Sequence, residues 1–133
     1  VVNACFSGQY TKEQIKKMIV GNGGFVAYLG TNDAYTVEVK AKEGSEEHAF
    51  IQSAMAYQVA KEIGAAATVL NGKVDAIVLT GGIAYGKPFD EEVIERVKFI
   101  APVEIYAGED EMGALARNAT MFLNKEIECK EYK

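Results

Sequence analysis

Thr80-Gly81-Gly82-Ile83-Ala84-Tyr85-Gly86 follows directly on the apolar run Val74-Asp75-Ala76-Ile77-Val78-Leu79. Glycines placed after a strand let a backbone approach a flat ligand that a Cβ would hold away. In open α/β sheets the ligand lies beyond the C-terminal ends of the strands, which is where this loop falls. Two readings stand on residue types alone: a ligand-contacting loop, or a Gly-Gly turn. A second polar turn, Gly30-Thr31-Asn32-Asp33-Ala34-Tyr35, leads into a helical pattern. Its Asp33 can accept from a ribose hydroxyl or a base amine, or it can cap the helix. A third segment, Gly108-Glu109-Asp110-Glu111, sets carboxylates at a helix start. They complement the helix dipole there, or one of them stands near a magnesium ion, which favours oxygen ligands.

Other chemistries find no footing. No Gly-Lys-Ser/Thr phosphate loop occurs. The single histidine, His48, stands beside Glu46 and Glu47 at the start of a long helical pattern, as expected of an exposed helical residue. Cys5 and Cys129 lie near opposite ends and read as two free thiols of a reducing compartment, not as a disulfide framework or a metal site. The net charge of -5 disfavours nucleic acid as partner, and Lys12, Lys16, Lys17 and Lys61 are scattered among glutamates on helix surfaces. No apolar run reaches membrane-spanning length, and Val1-Val2-Asn3-Ala4-Cys5 lacks a signal peptide's pattern. A cytoplasmic protein is expected.

The elements that must position these loops are legible in outline. Thr11, with Gln14 three residues on, opens a helix as a capping box, and Gly21-Asn22-Gly23-Gly24 ends it. Phe25-Val26-Ala27-Tyr28-Leu29 reads as a strand or extended segment. Ser45 starts a long helix to about Leu70, with Phe50, Ala54, Tyr57, Val59, Ala60, Ile63 and Ala67 as its apolar stripe. Residues 74–80 read as a strand buried on both faces. Asp90 is expected to cap a helix carrying Val93, Ile94 and Val97. Val103-Glu104-Ile105-Tyr106 reads as a second strand, and Met112, Leu115, Ala116, Ala119 and Leu123 mark a last helix. The sum is one α/β domain over residues 1–133 with a small, mostly parallel sheet and flanking helices. Two strands leave open edges and little independent stability, so a partner is expected: further sequence, or another subunit in a homo-oligomer.

Read together, residues 24–34, 55–64, 72–85, Ile100-Ala101-Pro102-Val103 and 108–112 resemble the butyrate kinases of the acetate kinase family. The resemblance runs from about Cys5 to Tyr132, and branched-chain carboxylate kinases look similar. It implies membership of the superfamily of actin, sugar kinases and the heat-shock ATPase, with two ribonuclease-H-like lobes and ATP in the cleft between them. The chain would be a C-terminal adenosine-binding lobe, with the family's N-terminal lobe and its transfer residues preceding it. The parent would phosphorylate butyrate, or a related short-chain carboxylate, from ATP with Mg2+. The resemblance implies that Gly81, Gly82 and Ile83 close over base and ribose, and that Asp33, Ala34 and Tyr35 form a second nucleotide-contacting segment. It implies an acidic magnesium-associated residue at Asp110, with Glu109 and Glu111 as alternatives. Tyr35 departs from the arginine usual there. No residue of the chain itself is assigned to catalysis. The alternative is a non-catalytic module that binds nucleotide or completes another subunit.

Overall fold

The computed structural model describes residues 1–108 and 110–129. Seven helices occur in chain order among them: α1 (Val2–Cys5), α2 (Lys12–Ile19), α3 (Phe25–Leu29), α4 (Ala34–Lys42), α5 (Glu46–Val69), α6 (Lys87–Val97) and α7 (Glu111–Leu123). Strands β1 (Ile77–Gly81) and β2 (Val103–Ala107) flank α6. They pair in parallel, with Ile77 opposite Val103 and Gly81 opposite Ala107. The arrangement is α/β, a small parallel sheet with flanking helices, as expected of part of an α/β ATPase lobe.

Local chemistry sets the helix starts. At α2 the Thr11 hydroxyl accepts from the Gln14 amide at 3.2 Å, while the Gln14 side chain accepts from the Thr11 amide at 2.7 Å. This reciprocal cap satisfies two amides that have no partner within the helix. Ser45 caps α5, and α5 ends where Asn71 and Gly72 take positive φ.

The core forms where α5 and α6 meet one face of the sheet. Ala56, Ala60, Ile77, Phe89, Val93, Val97 and Ala101 make up its buried cluster. Ser53 donates to Glu92 at 2.6 Å, and Arg96 lies over the Tyr57 ring, so contacts step in the same direction along both helices. The two therefore run parallel. Small side chains at 56 and 60 let α6 come close enough to bury Val93 and Val97.

Several expectations need correction. Phe25–Leu29 is a single helical turn, with Gly24 and Gly30 at positive φ on either side. Five apolar residues carry no period that separates helix from strand. Strand β1 is buried on one face only: Ile77 is buried but Val78 is 56% exposed. Helices cover one side of the sheet, and no described element covers the other. On α5 the buried positions are Gln52, Ala56 and Ala60, while Phe50, Ala54 and Tyr57 are exposed. Asp90 does not cap α6, which starts at Lys87 with Pro88 in its first turn, where proline's fixed φ fits. Asp90 is instead buried within that turn. His48 is half-buried, with Nδ1 at 2.7 Å from the Ser45 hydroxyl and Nε2 without a partner among the described residues.

Helix α7 buries no side chain; Met112, Leu115, Phe122 and Leu123 are exposed. Both cysteines are free and exposed. No helix among the described residues is long and apolar enough to cross a membrane.

Candidate functional site

The chain makes two sharp changes of direction at the C-terminal end of β1. Gly81 takes φ 84 and ψ -178, a region that is essentially closed to residues with a Cβ. Residues 82–85 then coil into one 3-10 turn that leads through Gly86 into α6. The Gly108 amide donates to the Gly81 carbonyl at 2.9 Å, which ties the loop to the end of β2.

This loop forms one wall of a cavity of about 140 Å³. Gly82, Ile83, Tyr85 and Gly86 contribute from the loop, and Ala34, Tyr35 and Glu38 face them from α4. Phe25 of α3, Gln52 of α5 and Phe89 of α6 complete the lining. Segments nearly fifty residues apart therefore converge. Four of the six residues expected to contact nucleotide (Ala34, Tyr35, Gly82 and Ile83) line this one cavity.

The other two hold their neighbours in place. Gly81 turns the loop. Asp33 caps α4, its carboxylate accepting from the Tyr35 amide at 3.1 Å and from the Thr36 hydroxyl. The Thr36 hydroxyl, helped by the Tyr35 and Thr36 amides, holds the Asp33 carboxyl below its ordinary value against the opposing effect of burial. The cap thus fixes the first turn of α4, from which Ala34 and Tyr35 reach the cavity.

Glu38, Gln52 and Phe89 were not marked by the motifs, and Phe25 was read only as the start of an apolar segment. The signal available for Gln52 was a polar residue on the 52–56–60 face, otherwise made of alanine. Glu38 pairs with Lys42 one turn on and has a largely buried side chain. A Cβ on Gly86 would lie 2.8 Å from Glu38 Oε2. The absence of a side chain at Gly86 is what lets this carboxylate press against the loop.

Asp90, in the first turn of α6, is 4% exposed, and its Oδ1 has no partner among the described residues. Burial pushes its pKa above the ordinary value, and the nearby Glu38 charge adds to the shift. A carboxyl whose pKa is raised on folding contributes most below its unfolded pKa, and this contribution is lost as pH rises through the folded one. Asp90→Asn removes the charge at nearly constant shape. Its melting temperature should exceed the parent's at pH 7, with the gap closing in acid below the ordinary aspartate range. Thermal melts across pH check this, and a gap independent of pH would exclude the charge as the cause.

Asp110 lies apart from the cavity lining. It caps α7, Oδ1 accepting from the Gly113 amide at 3.1 Å and Oδ2 from Arg117 at 3.1 Å. No three His, Cys, Asp or Glu side chains converge among the described residues. A single carboxylate already paired with a guanidinium does not fit a resident cation. Glu111 lies in the first turn of α7, and Glu109 lies outside the described residues.

Comparison with known proteins bears on the same segments. The pattern of the Acetokinase family matches residues 6–117, which takes in every lining residue of the cavity. Butyrate kinase 2 of Clostridium acetobutylicum is 53% identical over 133 residues, the whole of this chain. The chain spans 37% of that protein's length. The family match covers most of the chain and takes in both converging loops, so the chain belongs to the acetokinase family.

Proposed function

We propose that the chain is the C-terminal, adenosine-binding part of an ATP-dependent butyrate kinase, which forms butyryl phosphate and ADP reversibly. The observation that carries this reading is the convergence of Ala34 and Tyr35 with Gly82 and Ile83 on one cavity beyond the end of β1. Its charge supports the base or ribose as occupant, not the phosphates. Glu38 lines the cavity and Asp90 lies nearby, and carboxylates in a poorly solvated site repel anions. At about 140 Å³ the cavity is below the 300–1,000 Å³ of typical ligand sites. It therefore serves as one wall of a cleft. Tyr35, 75% exposed at the rim, supplies a ring that can stack on a base where an arginine is usual.

Phosphoryl transfer rests on positioning and on stabilising the charge of the transferred group. In this reading the chain positions adenosine, and the phosphate-binding and carboxylate-binding groups come from outside these 133 residues. Mg2+ accompanies the ATP phosphates and neutralises their charge. The exposed apolar side chains of α7 and the uncovered face of the sheet support association with a further lobe or a second copy.

The 133-residue chain is expected to bind ADP but not to turn over ATP with butyrate. Calorimetry and a coupled assay measure the two. Turnover within tenfold of a full-length family member, a barrier kept to within about 1.4 kcal/mol, would overturn this division of the site. The alternative, a non-catalytic nucleotide-binding module, predicts that adding the remaining family sequence also yields no turnover. Acyl-chain choice between butyrate and branched carboxylates is decided by the same assay run with both.

A further inference from the structure

Gln52 is the single polar residue among the buried positions of α5, 9% exposed beside Ala56 at 0% and Ala60 at 8%. No hydrogen bond joins its amide to another described residue, yet neither amide atom is sealed away from solvent. The opening left to it is the cavity it lines together with Glu38. Both amide atoms therefore keep hydrogen-bonding capacity at the cavity surface, and an amide that opens onto a cavity from an otherwise alanine face is placed to pair with what fills it, water or ligand.

We infer that Gln52 and Glu38 read the edge of a 6-aminopurine. This rests on the nucleotide reading above and extends it to the choice of base. A primary amide both accepts and donates, which matches an exocyclic amine beside a ring nitrogen that accepts. Glu38, when ionised, only accepts. It welcomes the protons of an amine and repels a carbonyl oxygen. Adenine offers the amine; guanine and uracil place a carbonyl there. Of the other lining side chains, Ala34, Ile83, Phe25 and Phe89 contact a base without distinguishing one from another, and the Tyr35 and Tyr85 hydroxyls, which both donate and accept, suit an amine or a carbonyl alike. Discrimination between adenine and guanine therefore falls to Gln52 and Glu38.

The test is calorimetry of the parent protein, Gln52→Leu and Glu38→Gln with ADP, GDP and UDP, with circular dichroism to verify folding. The parent should bind ADP about tenfold or more tightly than GDP or UDP, the scale of one two-point amide-to-base contact. Gln52→Leu leaves a shorter, apolar side chain and removes the hydrogen-bonding groups. It should weaken ADP by about tenfold and leave GDP nearly unchanged. Glu38→Gln adds a donor and should raise GDP affinity relative to ADP, and it carries the test alone if Gln52→Leu fails to fold. Equal loss for all three nucleotides, or no loss for any, overturns the base assignment while the nucleotide site stands. A parent protein that binds none of the three overturns the nucleotide reading, and this inference with it.

Discussion

Gly82→Val is expected to weaken ADP binding by tenfold or more without a measurable change in melting temperature, and Gly81→Val to destabilise the fold. The sequence alone leaves Gly82 with two explanations, a close approach to ligand or a turn needing positive φ. The structure moves the positive φ to its neighbour. Gly81 has φ 84 and ψ -178, and a β-branched residue forced there costs on the order of 1–3 kcal/mol. Gly82 has an ordinary φ, and an added Cβ would meet no atom within 4 Å. Valine at 82 is thus tolerated by the protein itself, and it adds bulk to the lining of the cavity proposed to take the nucleotide. A tenfold loss corresponds to about 1.4 kcal/mol, a modest demand for direct steric exclusion. Calorimetry on folded protein, beside thermal melts of both variants, separates the two effects. Unchanged ADP affinity in Gly82→Val would remove this loop from the nucleotide site. A fall in its melting temperature to match Gly81→Val would return Gly82 to a purely structural role.

How far the sequence reveals these features depends on the range over which each is determined. Capping is decided within three or four residues, so Thr11 with Gln14, Ser45 and Asp33 were all legible as helix starts, and the structure places each at an N-cap. The parallel pairing of β1 and β2 around α6 was legible too, because an apolar run, a helix and a second run admit few topologies. Burial is different, since it depends on what packs against an element. Val78 has the composition of a doubly buried strand, but it is exposed because nothing described covers that face of the sheet. Asp90 looks like a cap, yet α6 begins three residues earlier and carries it into the interior. The two candidate loops were each visible in the sequence. That they share a cavity was not, because residues 34 and 82 meet only after α4, α5 and the sheet have packed. Gln52 and Glu38 belong to no motif. Their significance comes from enclosure, which a linear pattern does not record.

Phe89→Ala carries the largest expected loss of stability. Phe89 is 4% exposed and is the largest side chain of a buried cluster whose other members are alanine, valine and isoleucine. It both fills the core between α5 and α6 and lines the cavity. Truncating a buried phenylalanine removes its transfer free energy and leaves a void, together costing about 3–5 kcal/mol. Domains of this kind hold roughly 5–15 kcal/mol in total, so the variant gives up a large share of the whole. The alanines at 56, 60 and 101 have no rotamers with which to fill the space, and Val93 and Val97 are already fully enclosed. The melting temperature should therefore fall by on the order of 10–20 °C. Phe89→Leu keeps much of the volume and should recover most of that loss. Calorimetric melts of both variants decide between two roles for the ring. A drop of only a few degrees in Phe89→Ala, with ADP affinity lost, would mean that the ring mainly faces ligand. A large drop that Phe89→Leu repairs means that the wall of the cavity is also the keystone of the core, so the site cannot be enlarged at this position without loosening the contact between α5 and α6.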